Sequence, residues 1–220
     1  MIAKNLITDG IMPLKTSDTG KTALSWMEEY KVSHLPIVNN QEFLGLISEL
    51  DIYDLNNFDE PLGNHKLSSN NPYVFENQHI YDVLKLVNAQ NLSLVPVLDE
   101  KGSYLGSINL QNLVRYFARS LSVDNPGGII VLEMTYNDYS LTELAKIVEE
   151  NDAKILSTFI INHENSTKLD VFLKLNTMEI SSVLKTFERF DYFVKASYGE
   201  EDDLDDLRER YNSLMNYLNV

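Results

Sequence analysis

The segment around residue 48 combines residue types that could bind a small polar ligand. Ser48 and Asp51 stand three positions apart, where a β-rich run is followed by a stretch with helical character. The first N–H groups of a helix attract an anion such as phosphate, and the Ser48 hydroxyl adds a donor there. The two oxygens of the Asp51 carboxylate could accept both hydroxyls of a diol. Because Ser-x-x-Asp is also typical of a capping box, a purely structural role at the start of the helix stays open.

An internal repeat produces a second segment of the same kind later in the chain. The matching pairs are residues 32–38 with 92–98 and residues 43–47 with 104–108. In the second copy, Asn109 and Asn112 stand in the places of Ser48 and Asp51. Asparagine caps helices well, but Asn112 lacks the charge and the two equivalent oxygens that suit a diol. We therefore expect the site at Asp51 to be the more competent one.

Each copy contains the elements needed to position its segment. Apolar residues at helical spacing predict an opening helix with one buried face; they are Ala23, Leu24, Met27 and Tyr30 in the first copy and Ile80, Val83, Leu84 and Val87 in the second. Two short β-rich runs around a polar turn predict a hairpin, and a second helix is expected over residues 49–55 and 110–121. One copy is too small to bury a good core, so two copies should pack about a pseudo-twofold axis.

This order of elements, with the sequences SHLPIV and GLISELD, resembles the cystathionine-β-synthase-type (CBS) domain. The tandem resembles a CBS pair over residues 1–122, with repeat 1 at about 1–60 and repeat 2 at about 61–122. The resemblance implies an α+β fold of two β-α-β-β-α units. It also implies a regulatory module without catalytic activity that binds adenine nucleotides or adenosyl compounds in clefts between the repeats.

The resemblance further implies which residues line the two clefts. The first site combines Ser48 and Asp51 with an apolar slot for adenine, formed by Val74, Phe75, Glu76, Val95 and Pro96. The second, less competent site combines Asn109 and Asn112 with Leu14, Thr16, Leu35 and Pro36. AMP, ATP and S-adenosylmethionine are the candidate ligands. Residues 1–122 hold 9 Lys and Arg against 14 Asp and Glu, which favours AMP or a weakly charged ligand over ATP unless Mg²⁺ accompanies it.

Residues 123–199 are predicted to form a second domain after a breaker cluster at residues 123–128. The patterns predict the order βαββαβ, and the third strand alternates, with Leu169, Val171, Leu173 and Leu175 pointing inward. This segment resembles an ACT domain, a module that commonly binds amino acids at a dimer interface. The order CBS, CBS, ACT is similar to that of bacterial acetoin-utilisation accessory proteins. The turn at residues 136–140 lacks the glycine usual in ACT modules that bind amino acids, and Ser140 is interpreted as a helix cap.

Residues 200–220 are predicted to form an acidic amphipathic C-terminal helix. Its apolar positions follow a heptad spacing; they are Leu204, Leu207, Tyr211, Leu214 and Leu218. Two heptads are too short for a stable free coiled coil. We expect this helix to dock on its own protein or to pair inside a dimer.

Composition restricts the remaining function classes. The formal net charge of −15 opposes binding to phosphate backbones and anionic membranes, and neither a signal peptide nor a membrane span is predicted. With no cysteine, no nucleotide-binding loop and no pair of the four histidines at metal-ligand spacing, we expect no metal, no cofactor and no enzymatic activity. A cytoplasmic homodimer is the expectation. The alternatives are a ligand-free scaffold for an unidentified protein partner and an amino-acid sensor.

Overall fold

The chain folds as two compact units. The computed structural model describes residues 1–55, 57–65, 71–200 and Met215. The first unit is Met1–Tyr116, and the second begins at Phe117. The division falls inside a helix rather than in the predicted breaker cluster. Where one functional domain ends and the next begins stays a prediction.

The first repeat consists of two helices around a hairpin. After a 3₁₀ helix at Ala3–Leu6, the elements are α1 (Gly20–Tyr30), β1 (His34–Asn39), β2 (Glu42–Ser48) and α2 (Glu49–Tyr53). Thr19 caps α1, since its hydroxyl accepts a hydrogen bond of 3.2 Å from the N–H of Thr22. Helix α2 ends earlier than predicted, because the chain tightens into a 3₁₀-type turn in which Leu55 N donates to Ile52 O.

The second repeat has the same arrangement with an opening strand added, so the predicted β-α-β-β-α unit is complete only there; in the first repeat an isolated bridge between Leu14 and Ile37 stands in place of that strand. The elements of the second repeat are β3 (Val74–Phe75), α3 (Ile80–Gln90), β4 (Leu94–Leu98), β5 (Tyr104–Asn109) and α4 (Leu110–Ser120). Both hairpins are antiparallel, and each carries an irregularity at the same place, between Ile37 and Val38 and between Val97 and Leu98. In each opening helix two of the four predicted inner positions are buried, Ala23 and Met27 in α1 and Ile80 and Val83 in α3. The other four predicted positions are partly buried.

The second unit is the predicted βαββαβ sandwich. Its elements are β6 (Ile129–Thr135), α5 (Leu141–Glu150), β7 (Ile155–Asn162), β8 (Lys168–Leu175), α6 (Ser181–Arg189) and β9 (Phe193–Tyr198). The antiparallel sheet has the strand order β7-β8-β6-β9. The four inward residues predicted for β8 are at most 1% exposed. Asp170, which points to the other face of the same strand, is also buried, at 7% exposure.

The breaker cluster packs against the sheet of this unit. Gly128 N donates to Thr177 O at 2.7 Å, and Leu175 N donates to Gly128 O at 2.8 Å. A Cβ atom on Gly127 would lie 1.8 Å from the carbonyl oxygen of Leu175, so only glycine fits there. Of the predicted C-terminal helix, only Glu200 and Met215 fall among the described residues. No helix in the described part of the chain is long and apolar enough to cross a membrane.

Candidate functional site

Ser48 and Asp51 form the capping box that begins α2. The Ser48 hydroxyl accepts a hydrogen bond of 3.1 Å from Asp51 N. The Oδ2 atom of Asp51 accepts hydrogen bonds from Ser48 N at 2.8 Å and from Ser48 Oγ at 2.7 Å. Both bonds use one oxygen, which leaves Oδ1 for a ligand. A diol that uses both oxygens of the carboxylate would compete with the Ser48 hydroxyl for Oδ2.

The corresponding position in the second repeat is occupied by the N-terminal segment. Asn109 caps α4 as predicted, accepting a hydrogen bond of 2.9 Å from Asn112 N. The amide of Asn112 donates to the hydroxyl of Thr8 at 2.9 Å, and Asn109 N lies 3.3 Å from the same oxygen. The side chain of Ile7 covers Gly106. Thr8, which no sequence pattern indicated, therefore takes the place where a ligand would meet Asn112.

The apolar slot predicted for the Asp51 site lies partly in the core. Val74 is 2% exposed and Val95 and Pro96 are buried, whereas Phe75 is 37% exposed and Glu76 is half-buried. Among these residues, only Phe75 and Glu76 present much side chain to solvent. The three buried residues could form only the floor of such a slot.

Two residues that the sequence analysis missed, Asn71 and Tyr73, join the segment before β3 to the first repeat. The ring of Tyr73 lies 6.2 Å from that of Phe43 on β2 and 5.4 Å from that of Phe75, both edge to face. Asn71 donates to the carbonyl of Leu44 at 3.3 Å. A Cβ atom on Gly45 would lie 2.8 Å from Asn71 Oδ1, so glycine permits this approach. The segment before β3 thus runs beside β2, the strand that ends at Ser48.

Glu76 already has a partner in the structure. Its carboxylate forms an ion pair of 2.7 Å with Lys4, and its backbone bonds to Lys4 and Leu98. The hydrogen bond and charge of Glu76 raise the pKa of the exposed Lys4 ammonium. A contact between Glu76 and a ligand would compete with this pair.

The residues predicted to complete the second site are also engaged. Leu14 and Leu35 are fully buried, and Pro36, the residue after Leu35, is also buried. The hydroxyl of Thr16 accepts a hydrogen bond of 2.9 Å from the amide of Asn39. Together with the Thr8 contact, this arrangement favours a structural role for the second set.

His34 lies where the two repeats meet. Its Nδ1 atom is 3.0 Å from the hydroxyl of Ser93 and 3.1 Å from that of Ser33. Ser93 N donates to the same nitrogen at 3.3 Å, so Nδ1 acts as an acceptor and the ring is neutral. His34 is also the register partner of Ser48, and burial lowers its pKa more than the charge of Asp51 raises it.

Replacing His34 by Leu is expected to reduce the dependence of stability on pH. In the unfolded chain the histidine takes up a proton near its usual pKa of 6.5, but in the folded protein its lowered pKa keeps it neutral. The free energy of unfolding of the natural protein should therefore fall as the pH drops below about 6.5. Leu is a suitable replacement because Leu94 occupies the equivalent position in the second repeat.

Chemical unfolding at about pH 7.5 and about pH 5.5 measures the change in the free energy of unfolding of each protein between the two pH values. Val123→Ala, at an exposed side chain that does not titrate, serves as the control and should keep the natural pH dependence. If the natural protein and His34→Leu lost the same free energy of unfolding between the two pH values, the interpretation of His34 as a neutral residue between the repeats would be contradicted.

The second unit contains a cavity of about 750 Å³ beside the turn at residues 136–140. Ser140 caps α5, as predicted. The acidic residues at the wall are Glu133, Asp138, Glu143 and Asp191, against the single basic residue Lys168. Burial and Glu143, which accepts a hydrogen bond from the Tyr192 hydroxyl, raise the pKa of Tyr192. This excess of negative charge opposes the carboxylate of an amino acid.

Comparison with known proteins identifies the first half of the chain. Residues 3–56 and 66–119 each match the family model of the CBS domain. The chain therefore contains a tandem pair of CBS domains, as the sequence predicted. A stretch of 117 residues, 51% of this chain, is 26% identical to a homoserine O-acetyltransferase of Methanococcus vannielii and spans 24% of that protein's length.

Two solved structures align with about the same share of the chain. One is a CBS domain pair/ACT domain protein of Thermotoga maritima, with 24% identity, a TM-score of 0.49 and coverage of 55% of this chain and 99% of that one. The other is a putative acetoin utilization protein of Vibrio cholerae, with 20% identity, a TM-score of 0.49 and coverage of 56% and 95%. Both alignments cover little more than half of this chain.

Proposed function

We propose that the protein is a regulatory sensor whose CBS pair binds an adenosine-containing ligand at the Asp51 site. One observation carries the proposal: the exposed capping box of Ser48 and Asp51 ends strand β2, and near the other end of that strand Phe43 packs against Tyr73, which contacts Phe75. Asp51 supplies acceptors for a ribose diol, and aromatic rings can stack on a base.

The charges around this site favour AMP over ATP. Lys4, the basic residue bonded to the predicted slot, is already paired with Glu76. A triphosphate would need Mg²⁺ to offset its charge. Isothermal titration of protein freed of bound ligand with AMP, ADP, ATP and S-adenosylmethionine tests the proposal. Heat from none of the four would refute it and favour the scaffold that acts through a protein partner.

The regulatory signal needs a second surface, and we propose that this is a dimer interface on α2 and α4. Ile52 and Leu113 hold equivalent positions in these helices, and both are buried. Tyr53 and Val114, the next residue in each helix, are 54% and 68% exposed. A single exposed apolar residue is common on protein surfaces. Exposed apolar residues at the matched positions of both repeats are less common and favour an interface. A ligand would act by binding two dimer geometries with different affinity.

The double change Tyr53→Glu and Val114→Glu is expected to convert the dimer to a monomer, because burying two carboxylates in an apolar contact is costly. Sedimentation velocity measures the change in mass. Tyr81→Glu, at a tyrosine that is 69% exposed on α3, is the control and should leave the assembly intact. A natural protein that sediments as a monomer at all concentrations would refute the interface. Cytoplasmic location and the ACT-like function of the second unit stay predictions.

A further inference from the structure

Charged side chains gather on the face of the second unit's sheet that lies away from α5 and α6. Glu133 on β6 stands directly opposite Asp170 on β8. His163, which follows β7, lies beside them, and one ligand atom from each of the three residues falls within 4.8 Å of the others. Two carboxylates facing each other on neighbouring strands repel each other, so this arrangement needs positive charge.

The Asp170 carboxylate is the unusual member of this cluster. Its side chain is nine-tenths buried, and its Oδ1 atom is inaccessible to solvent and accepts no hydrogen bond from any described residue. His163 Nε2 lies 3.0 Å from this oxygen, which is close enough for an ion pair but without a directed N–H bond. A buried carboxylate oxygen is costly unless a neighbour satisfies it, and His163 is the neighbour of this one. A metal ion held between the two atoms would satisfy both.

Two lysines hold the carboxylates but leave one oxygen of each available. Lys195 contacts Asp170 Oδ2 at 2.5 Å, and Lys168 contacts Glu133 Oε1 at 2.5 Å. Both lysine side chains are about half exposed, at 43% and 55%, and can turn toward solvent.

We propose that Glu133, His163 and Asp170 bind a divalent transition-metal ion. Two ligand atoms on a zinc ion, each about 2.0–2.2 Å from it, are separated by roughly 3.3 Å, close to the observed 3.0 Å between Nε2 and Oδ1. Glu133, whose ligand atom lies within 4.8 Å of the other two, is the third ligand. One imidazole with two carboxylates suits Zn²⁺ or Mn²⁺, and Zn²⁺ should bind more tightly. The site does not depend on the proposed nucleotide site, since all its residues lie in the second unit.

The ammonium groups of the two lysines oppose the binding of a cation at this site. With both ammonium groups in place, the two carboxylate charges are already balanced, so a dication adds uncompensated positive charge. Removing one ammonium should therefore tighten metal binding. If the cluster is only a network of ion pairs, removing one ammonium group should lower the stability of the protein and leave its affinity for the metal ion unchanged.

Titration of the full-length protein, freed of metal by a chelator, with Zn²⁺ and separately with Mn²⁺ tests the proposal. We expect one ion per chain and an affinity at least about tenfold weaker in His163→Ala, because a ligand is lost. In Lys195→Ala we expect an affinity at least about tenfold tighter, because a positive charge beside the ion is removed. His79→Ala, which removes an exposed histidine outside the cluster, should bind as the natural protein does.

Because His163 is only partly buried, its removal should leave the fold intact, and circular dichroism checks this. Mn²⁺ relaxation of solvent water provides a second measure of occupancy. Failure of both ions to bind would overturn the site. So would binding that His163→Ala leaves unchanged, or a Lys195→Ala protein with unchanged affinity.

Discussion

Replacing Asp51 by Asn is expected to weaken AMP binding about 10- to 100-fold, because hydrogen bonds to a charged group contribute about 1.5–3 kcal/mol. Asn keeps an oxygen that can accept the hydrogen bonds of Ser48, so the start of α2 should survive. The change also copies Asn112 of the second repeat into the first. Isothermal titration gives the dissociation constants of the two proteins.

Two further variants separate the ligand from the cap. Asn112→Ala should leave AMP affinity nearly unchanged, because Thr8 already occupies that position. Ser48→Ala removes the cap hydroxyl and should lower the free energy of unfolding by about 1 kcal/mol. If Asn112→Ala abolished binding and Asp51→Asn did not, the assignment of the competent site would be reversed.

Replacing Phe187 by Ala is expected to lower the free energy of unfolding of the second unit by about 3–5 kcal/mol. Phe187 is fully buried among the residues that α5, α6 and the sheet share, and its ring lies 5.6 Å from that of Tyr192. Since a domain is stable by only about 5–15 kcal/mol, this loss is a large fraction of the total. Urea unfolding followed by circular dichroism measures it.

Phe190→Ala supplies the matched control. Phe190 follows α6 by one residue and is 54% exposed, so its removal should change stability by less than about 0.5 kcal/mol. AMP binding should persist in Phe187→Ala if the two units fold independently. Loss of nucleotide binding at the temperature where the second unit unfolds would show that the CBS pair depends on it.

Local patterns predicted the elements well because each depends on residues close in sequence. The spacing of apolar residues located the helices, and the alternation in β8 identified its inward side chains. The caps at Ser48, Asn109 and Ser140 involve partners three residues away, so the sequence alone indicated them. The repeat and its quoted motifs were enough to predict the CBS pair that the family comparison confirms.

The sequence could not predict contacts between distant segments, and these decide the chemistry of the sites. Thr8 reaches Asn112 across 104 positions, and His34 meets Ser93 across 59. Histidine spacing argued against a metal site, yet hydrogen bonding between strands brings His163 to Asp170. In each case the partner is set by strand pairing and packing, which no local pattern records. The sequence by itself therefore determined the elements, their caps and the family, whereas the tertiary structure alone decided which polar groups meet and which remain open to a ligand.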